Sequence, residues 1–143
     1  MLTRWQAAPA PWGAPASRWL GVALIAAGTA VVVECFLRFA LRGLGTPAPI
    51  APTAHLVVSG LYRHVRNPMY VGVMAAILGQ ALLLGRAVLL AYAAAAGAVF
   101  FAYVLLYEEP VLRRRFGTEY ERYREAVPRW RPRATPWRGP GPR

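Results

Sequence analysis

The stretch from Asn67 to Pro110, "NPMYVGVMAAILGQALLLGRAVLLAYAAAAGAVFFAYVLLYEEP", decides the fold of this chain. It holds 18 residues without formal charge from Pro68 to Gly85, a single arginine at 86, and 21 more without charge from Ala87 to Tyr107. At a rise of about 1.5 Å per helical residue the two segments reach roughly 27 and 32 Å, close to the hydrocarbon core of a bilayer. Gly85 and Arg86 leave room only for a tight turn, so the segments form an antiparallel helical hairpin. Its two polar mouths, Asn67 on one side and Glu108 with Glu109 on the other, then stand at one level.

Upstream lies a third apolar run, Trp19 to Leu41, 23 residues interrupted by Glu34 and Arg38. Three such runs in 143 residues, with 57% hydrophobic and 16% charged residues, exclude an ordinary soluble domain. The expected fold is all-α, an integral membrane helical protein with about three transmembrane helices (19–41, 68–85 and 87–107) plus a short C-terminal cytoplasmic helix. Residues 1–18, with Trp5 and Trp12, read as an interfacial tail, 19–132 as the membrane domain and 133–143 as a basic C-terminal tail. The first run is too long for a signal-peptide core and no small-residue cleavage site follows it, so it reads as an uncleaved anchor. The one cysteine, Cys35, has no internal partner and reads as a buried apolar thiol.

The net charge of +11 comes from 17 arginines against 6 glutamates, with no lysine or aspartate. Such a balance raises nucleic acid as a partner, but its distribution points elsewhere. With three spans, Arg4, Arg18 and Arg86 share one side. Arg42, Arg63, Arg66 and the ten arginines from 113 to 143 share the other. Positive residues collect on the cytoplasmic side, which places the 43–67 loop, the site and the C-terminus there, in a bacterial inner (cytoplasmic) membrane. No nucleic acid is expected; attraction of the tail to anionic membrane lipid is.

Local signals mark the helix ends. Asn67 before Pro68 reads as an N-cap with proline at the first helical position, so the free amides of that helix end face the site and attract anions. Gly72 with Ala76 and Ala75 with Gly79 form a small face, with the run Ala93–Gly97 as its expected partner. "GLGTPAPIAPT", Gly43 to Thr53, reads as an extended connection, a lid or a plain linker. Gly117 reads as a helix stop, Thr118 with Glu121 as a capping box, and Tyr120 with Tyr123 as a face laid along the membrane. Glu34 and Arg38 sit one turn apart, either a functional pair within the span or a neutralised pair with Arg38 reaching for the interface.

Two acids, several aromatics, arginines and a helix start thus converge on one level. Metal-ligand spacing is absent, Ser59 and His64 have no supporting acid nearby in sequence, and no glycine-rich phosphate loop occurs. A zwitterion carrying an extra cation fits: its carboxylate at the helix end or an arginine, its ammonium on a glutamate, its sulfonium over tyrosine faces. Taken singly, Arg66 has the plainer reading of an interfacial ion pair with a glutamate, and Tyr70 that of an interfacial anchor.

Three elements, "LVVSGLYRHVRNPMYVG" (Leu56–Gly72), "EE" (Glu108, Glu109) and "FGTEYERYREAVPRW" (Phe116–Trp130), occur in an order and separation that resemble the isoprenylcysteine carboxyl methyltransferase family, membrane enzymes related to phospholipid N-methyltransferases. The resemblance covers somewhat over half the chain. It implies S-adenosyl-L-methionine as cofactor. Arg66, Asn67, Pro68, Tyr70, Glu108 and Glu109 would line its site, Tyr62 and Gly60 would shape the entrance, and Arg66, Glu108 and Glu109 would be the catalytic set. Asn67 stands where the family often has histidine. The chain also has fewer spans than fuller members, which implies a simpler substrate path or one completed by a second subunit, a homo-oligomer.

The function expected from this resemblance is methyl transfer to a lipophilic or amphiphilic small-molecule acceptor. The alternatives are a phospholipid N-methyltransferase, an NADPH-dependent membrane reductase of the sterol reductase type, and a non-enzymatic helical scaffold with a basic tail.

Overall fold

Helices α1 (Pro15–Leu41), α2 (Pro68–Leu84) and α3 (Ala87–Tyr103) take up the three apolar runs, none of which has a proline beyond its first residue to break it. The structure, a computed structural model, describes residues 15–41, 56 and 58–139. The expected interfacial tail falls almost wholly, and the "GLGTPAPIAPT" connection entirely, outside the described residues. All regular elements among those described are helical. Among the described residues two helices are long and apolar enough to cross a membrane, Pro15–Leu41 and the 30-residue rod Ala87–Phe116; α2 is a shorter apolar helix of 17 residues.

That rod is α3 continued through a π turn (Val104–Glu108) into α4 (Glu109–Phe116). Pro110 accounts for the widened turn. It has no N–H for the carbonyl four residues back, and its ring crowds that carbonyl; a π turn relieves both. The Glu109 N–H accordingly reaches the carbonyl of Val104, five residues back.

α2 and α3 form the expected hairpin. Gly85 closes α2 in the left-handed region, φ 61° and ψ 34°, where its amide donates to the Ala81 carbonyl. The small face of α2, however, packs on α1 rather than on Ala93–Gly97. A Cβ on Gly79 would stand 2.7 Å from the Gly21 carbonyl oxygen, and one on Gly72 would stand 2.9 Å from that of Gly28. These glycines are spaced seven apart on both helices, so two antiparallel backbones touch twice in register. Across the hairpin no such backbone contact is made at Gly97: among the described residues a Cβ there would meet the Met74 side chain, at 3.3 Å.

Beyond the rod, Gly117 (φ 51°) stops α4 and α5 (Thr118–Ala126) turns back. The capping box does not form. Gly117 itself occupies the cap, Thr118 is already helical, and Glu121 pairs with Arg113 at 3.0 Å and Arg124 at 2.9 Å. Nor do Tyr120 and Tyr123 lie on a membrane surface: they are buried with Val127 in a small core covered by Leu56, Val58, Leu112 and Phe116. Residues 128–137 then strap back over a 3₁₀ turn (Gly60–Arg63) and the segment after it. The amides of Arg66, Arg133 and Trp137 donate to the carbonyls of Pro128, His64 and Arg63 at 2.9, 3.0 and 2.9 Å. Residues 133–137 of the basic segment are therefore part of the fold.

Candidate functional site

The first turn of α2 and the π turn at the end of α3 meet, as the hairpin requires. Tyr70, in the first turn of α2, donates its hydroxyl to Glu108 Oε2 at 3.1 Å. Its ring lies 5.0 Å from that of Phe100 on α3. Arg66, held just before α2 by its main-chain bond to Pro128, donates from Nη1 to Glu109 Oε1 at 2.8 Å and to the Tyr120 hydroxyl at 3.2 Å. The π turn brings two consecutive glutamates to this level, each engaged by a different part of the α2 start.

Glu109 is the hub. Arg129 closes on it from the strap with two parallel bonds, Nε to Oε1 at 2.7 Å and Nη2 to Oε2 at 2.9 Å, the bidentate geometry in which a guanidinium holds a carboxylate most firmly. The side chains of Glu109 and Arg66 are 8% and 9% exposed, that of Arg129 27%. A buried carboxylate between two guanidiniums leaves one net positive charge. Within this cluster Arg66 Nε is buried and has no partner among the described residues.

The remaining candidates frame this pair. Asn67 precedes Pro68 as expected, yet its side chain does not cap the helix; the amide donates to the Arg129 carbonyl at 3.3 Å and so ties the strap to the α2 start. Pro68 is fully buried. Tyr62 packs edge-on against Phe39 at 5.8 Å, and its carbonyl accepts the Tyr123 hydroxyl at 2.6 Å. Burial pushes the phenols of Tyr62, Tyr120 and Tyr123 up from their ordinary range, so all three stay neutral hydrogen-bonding groups at physiological pH. His64 turns away from the cluster, its Nδ1 2.8 Å from the Arg133 carbonyl.

Sequence reasoning does not find Arg129, Tyr120 or Trp130 as members of this site. Arg129 follows Pro128, where the chain leaves α5. Nothing in the residue order says that the strap returns to α2.

Beside Tyr70 an apolar groove of about 460 Å³ opens between the helices, with Met74, Leu78, Phe100, Phe101 and Trp130 among its walls. Trp130 lies over Phe101 at 6.2 Å between ring centres, and its Nε1 is buried without a partner among the described residues. An ionic cluster at a helix junction, adjoining an apolar groove, is an arrangement suited to a polar cofactor and an apolar substrate meeting.

A family model described as phospholipid methyltransferase matches residues 16–119, which include all of α1 but its first residue, the hairpin and both glutamates. The chain belongs to the phospholipid methyltransferase family. It is also 40% identical over 73 residues to a protein-S-isoprenylcysteine O-methyltransferase of Schizosaccharomyces pombe. That match covers 51% of this chain and 31% of the yeast protein, so the shared part is about a third of the relative's length. No solved structure matches the chain. Methyltransferases of this family use S-adenosylmethionine as methyl donor, and the apolar helices together with the family indicate an integral membrane protein.

Proposed function

We infer that this chain is an S-adenosylmethionine-dependent methyltransferase of the membrane, isoprenylcysteine carboxyl methyltransferase-like, acting on a lipophilic or amphiphilic acceptor. The observation that carries this reading is the pairing of the α2 start with two successive glutamates beside an apolar groove, in a chain of a methyltransferase family. In this reading α1, α2 and the Ala87–Phe116 rod all cross the bilayer and the site faces the cytoplasm, where the arginine excess lies.

The residues present fit the cofactor's charges. Glu108, whose partner is the neutral Tyr70 hydroxyl, accepts an ammonium or a ribose hydroxyl. The Tyr70 and Phe100 rings offer π faces to a cation. Arg66 Nε offers a buried donor to a carboxylate. When bound, S-adenosylmethionine supplies a methyl group already activated on a sulfonium. What the chain adds is alignment and a dry site, the larger share of the help such a displacement needs. The Arg66–Glu109–Arg129 cluster fixes the helix junction, Asn67 fixes the strap over it, and the groove holds the apolar part of the acceptor with its polar head toward Tyr70.

A carboxylate acceptor requires no base. An amine acceptor does, and the description of the matching family model favours keeping this second reading. Glu109 is committed to two arginines, so the proton would go to Glu108.

Incubation of the purified protein with methyl-labelled S-adenosylmethionine and a total membrane extract tests the proposal. Label in an organic-soluble product supports it; label released by mild alkali marks a methyl ester, and alkali-stable label an N-methyl product. Binding of NADPH in place of S-adenosylmethionine would sink the methyl-transfer reading in favour of a reductase.

A further inference from the structure

Two adjoining hollows flank the 3₁₀ turn on its α1 side and share no residue with the apolar groove. The outer, about 620 Å³, is walled by Arg38, Ser59, Gly60, Arg63, Trp137 and Arg138. The inner, about 470 Å³, shares Arg38, Gly60 and Arg63 with it and reaches along α1 past Glu34 to Val31 and Ala30. Eight residues separate Arg38 from Ala30, so the cleft runs about 12 Å down an apolar helix.

Its chemistry is that of an anion site. Among the described residues three arginines line it against one carboxylate, Glu34, which is engaged by Arg38. Arg63 is fixed against the wall by its Nε bond to the Trp137 carbonyl at 2.6 Å. Gly60 adopts φ +54°, and a Cβ there would collide with the Arg38 guanidinium, so glycine is what lets that charge lie on the turn.

Ser59 supplies an independent pointer. It is 8% exposed, it precedes the 3₁₀ turn without capping it, and its Oγ is buried with no partner among the described residues. A buried hydroxyl without a partner among the described residues, on a residue that shares the wall of the hollow with three arginines, completes a donor set for phosphate oxygens.

We propose that this cleft binds the phosphate of an anionic phospholipid, held by Arg38, Arg63, Arg138 and the Ser59 hydroxyl, with the inner hollow taking the glycerol and the start of an acyl chain. The inner hollow decides for a lipid over a soluble phosphate, because its Ala30 and Val31 walls continue into the apolar length of α1. The proposal is independent of methyl transfer and is read by binding alone.

The test is a titration of the full-length protein in detergent with phosphatidylglycerol or phosphatidylcholine mixed micelles. Phosphatidylglycerol binds the more tightly. Arg138→Gln and Ser59→Ala each weaken its binding about tenfold, the usual scale for a lost charge-assisted hydrogen bond. Ser59→Ala leaves the melting temperature unchanged, since the hydroxyl has no hydrogen-bond partner among the described residues, and Arg114→Gln, on the exposed face of α4, leaves binding within about twofold. Equal binding by wild type and both site variants would overturn the proposal, as would an Arg114→Gln loss as large as that of Arg138→Gln, which marks diffuse attraction. Displacement of the lipid by millimolar inorganic phosphate would overturn the lipid assignment in favour of a soluble anion.

Discussion

Helix α2 is gripped at two heights by opposite means. Along its length, Gly72 and Gly79 lie against Gly28 and Gly21 with backbones in contact and no polar side chain involved. At its start, Arg66 just before the helix and Tyr70 in its first turn reach Glu109 and Glu108 through ionic and hydrogen bonds. In lipid there is little hydrophobic force between helices, so close van der Waals approach between small residues is the economical way to join them. A buried ion cluster is not: its desolvation cost consumes most of its Coulomb gain, and well-packed apolar groups would hold as well. Where a fold has the cheap solution and uses the expensive one a few turns away, the expensive one marks the place where charge is needed.

The two regions should fail differently. Glu109→Ala leaves Arg66 and Arg129 facing each other without their anion; the expected loss is about 3–5 kcal/mol of stability together with all cofactor binding, read by thermal melting in detergent and by titration. Gly28→Val drives a side chain into the Gly72 carbonyl and the Ala76 backbone, which cannot move aside. A destabilisation near 3 kcal/mol is expected, with cofactor affinity per folded molecule kept. An equal loss of affinity in the two variants would mean that seam and ionic end are one unit.

A smaller effect is expected from Tyr70→Phe, which keeps the ring on Phe100 and removes only the hydroxyl from Glu108. Stability should fall by about 1–2 kcal/mol, while methyl transfer falls by an order of magnitude or more. The smallest belongs to Glu121→Gln on α5. Its partners Arg113 and Arg124 are 43% and 34% exposed, so stability should change by less than about 1 kcal/mol and activity not at all.

The contrast between the regions also shows what a sequence can convey. Run lengths and the Gly85–Arg86 turn determine the hairpin, and the hairpin alone brings Asn67–Tyr70 level with Glu108–Glu109; that juxtaposition is legible in the sequence. The partner of the small face was not. Glycines seven apart occur on both α1 and α2, but spacing within one helix does not say which neighbour shares it, and the alanine run of α3 is as small on paper. Arg129 was hidden for a related reason: its role depends on the strap after Pro128 crossing back over His64 and Arg66 through backbone bonds that carry no side-chain signature. Asn67 and Thr118 carried cap signals, but tertiary partners overrode the first and a glycine in a backbone region closed to other residues displaced the second.

The central claim is that the junction of α2 with the π turn is a cofactor site, and Glu108 tests it most directly because Tyr70 is the one partner its side chain shows among the described residues. The measurement is an equilibrium titration of detergent-purified wild type and Glu108→Gln with S-adenosylmethionine, with melting curves taken on the same samples. The account predicts saturable binding by wild type and at least about a tenfold loss in Glu108→Gln at a nearly unchanged melting temperature. Wild type and variant binding alike, or wild type showing no affinity for S-adenosylmethionine, would contradict it.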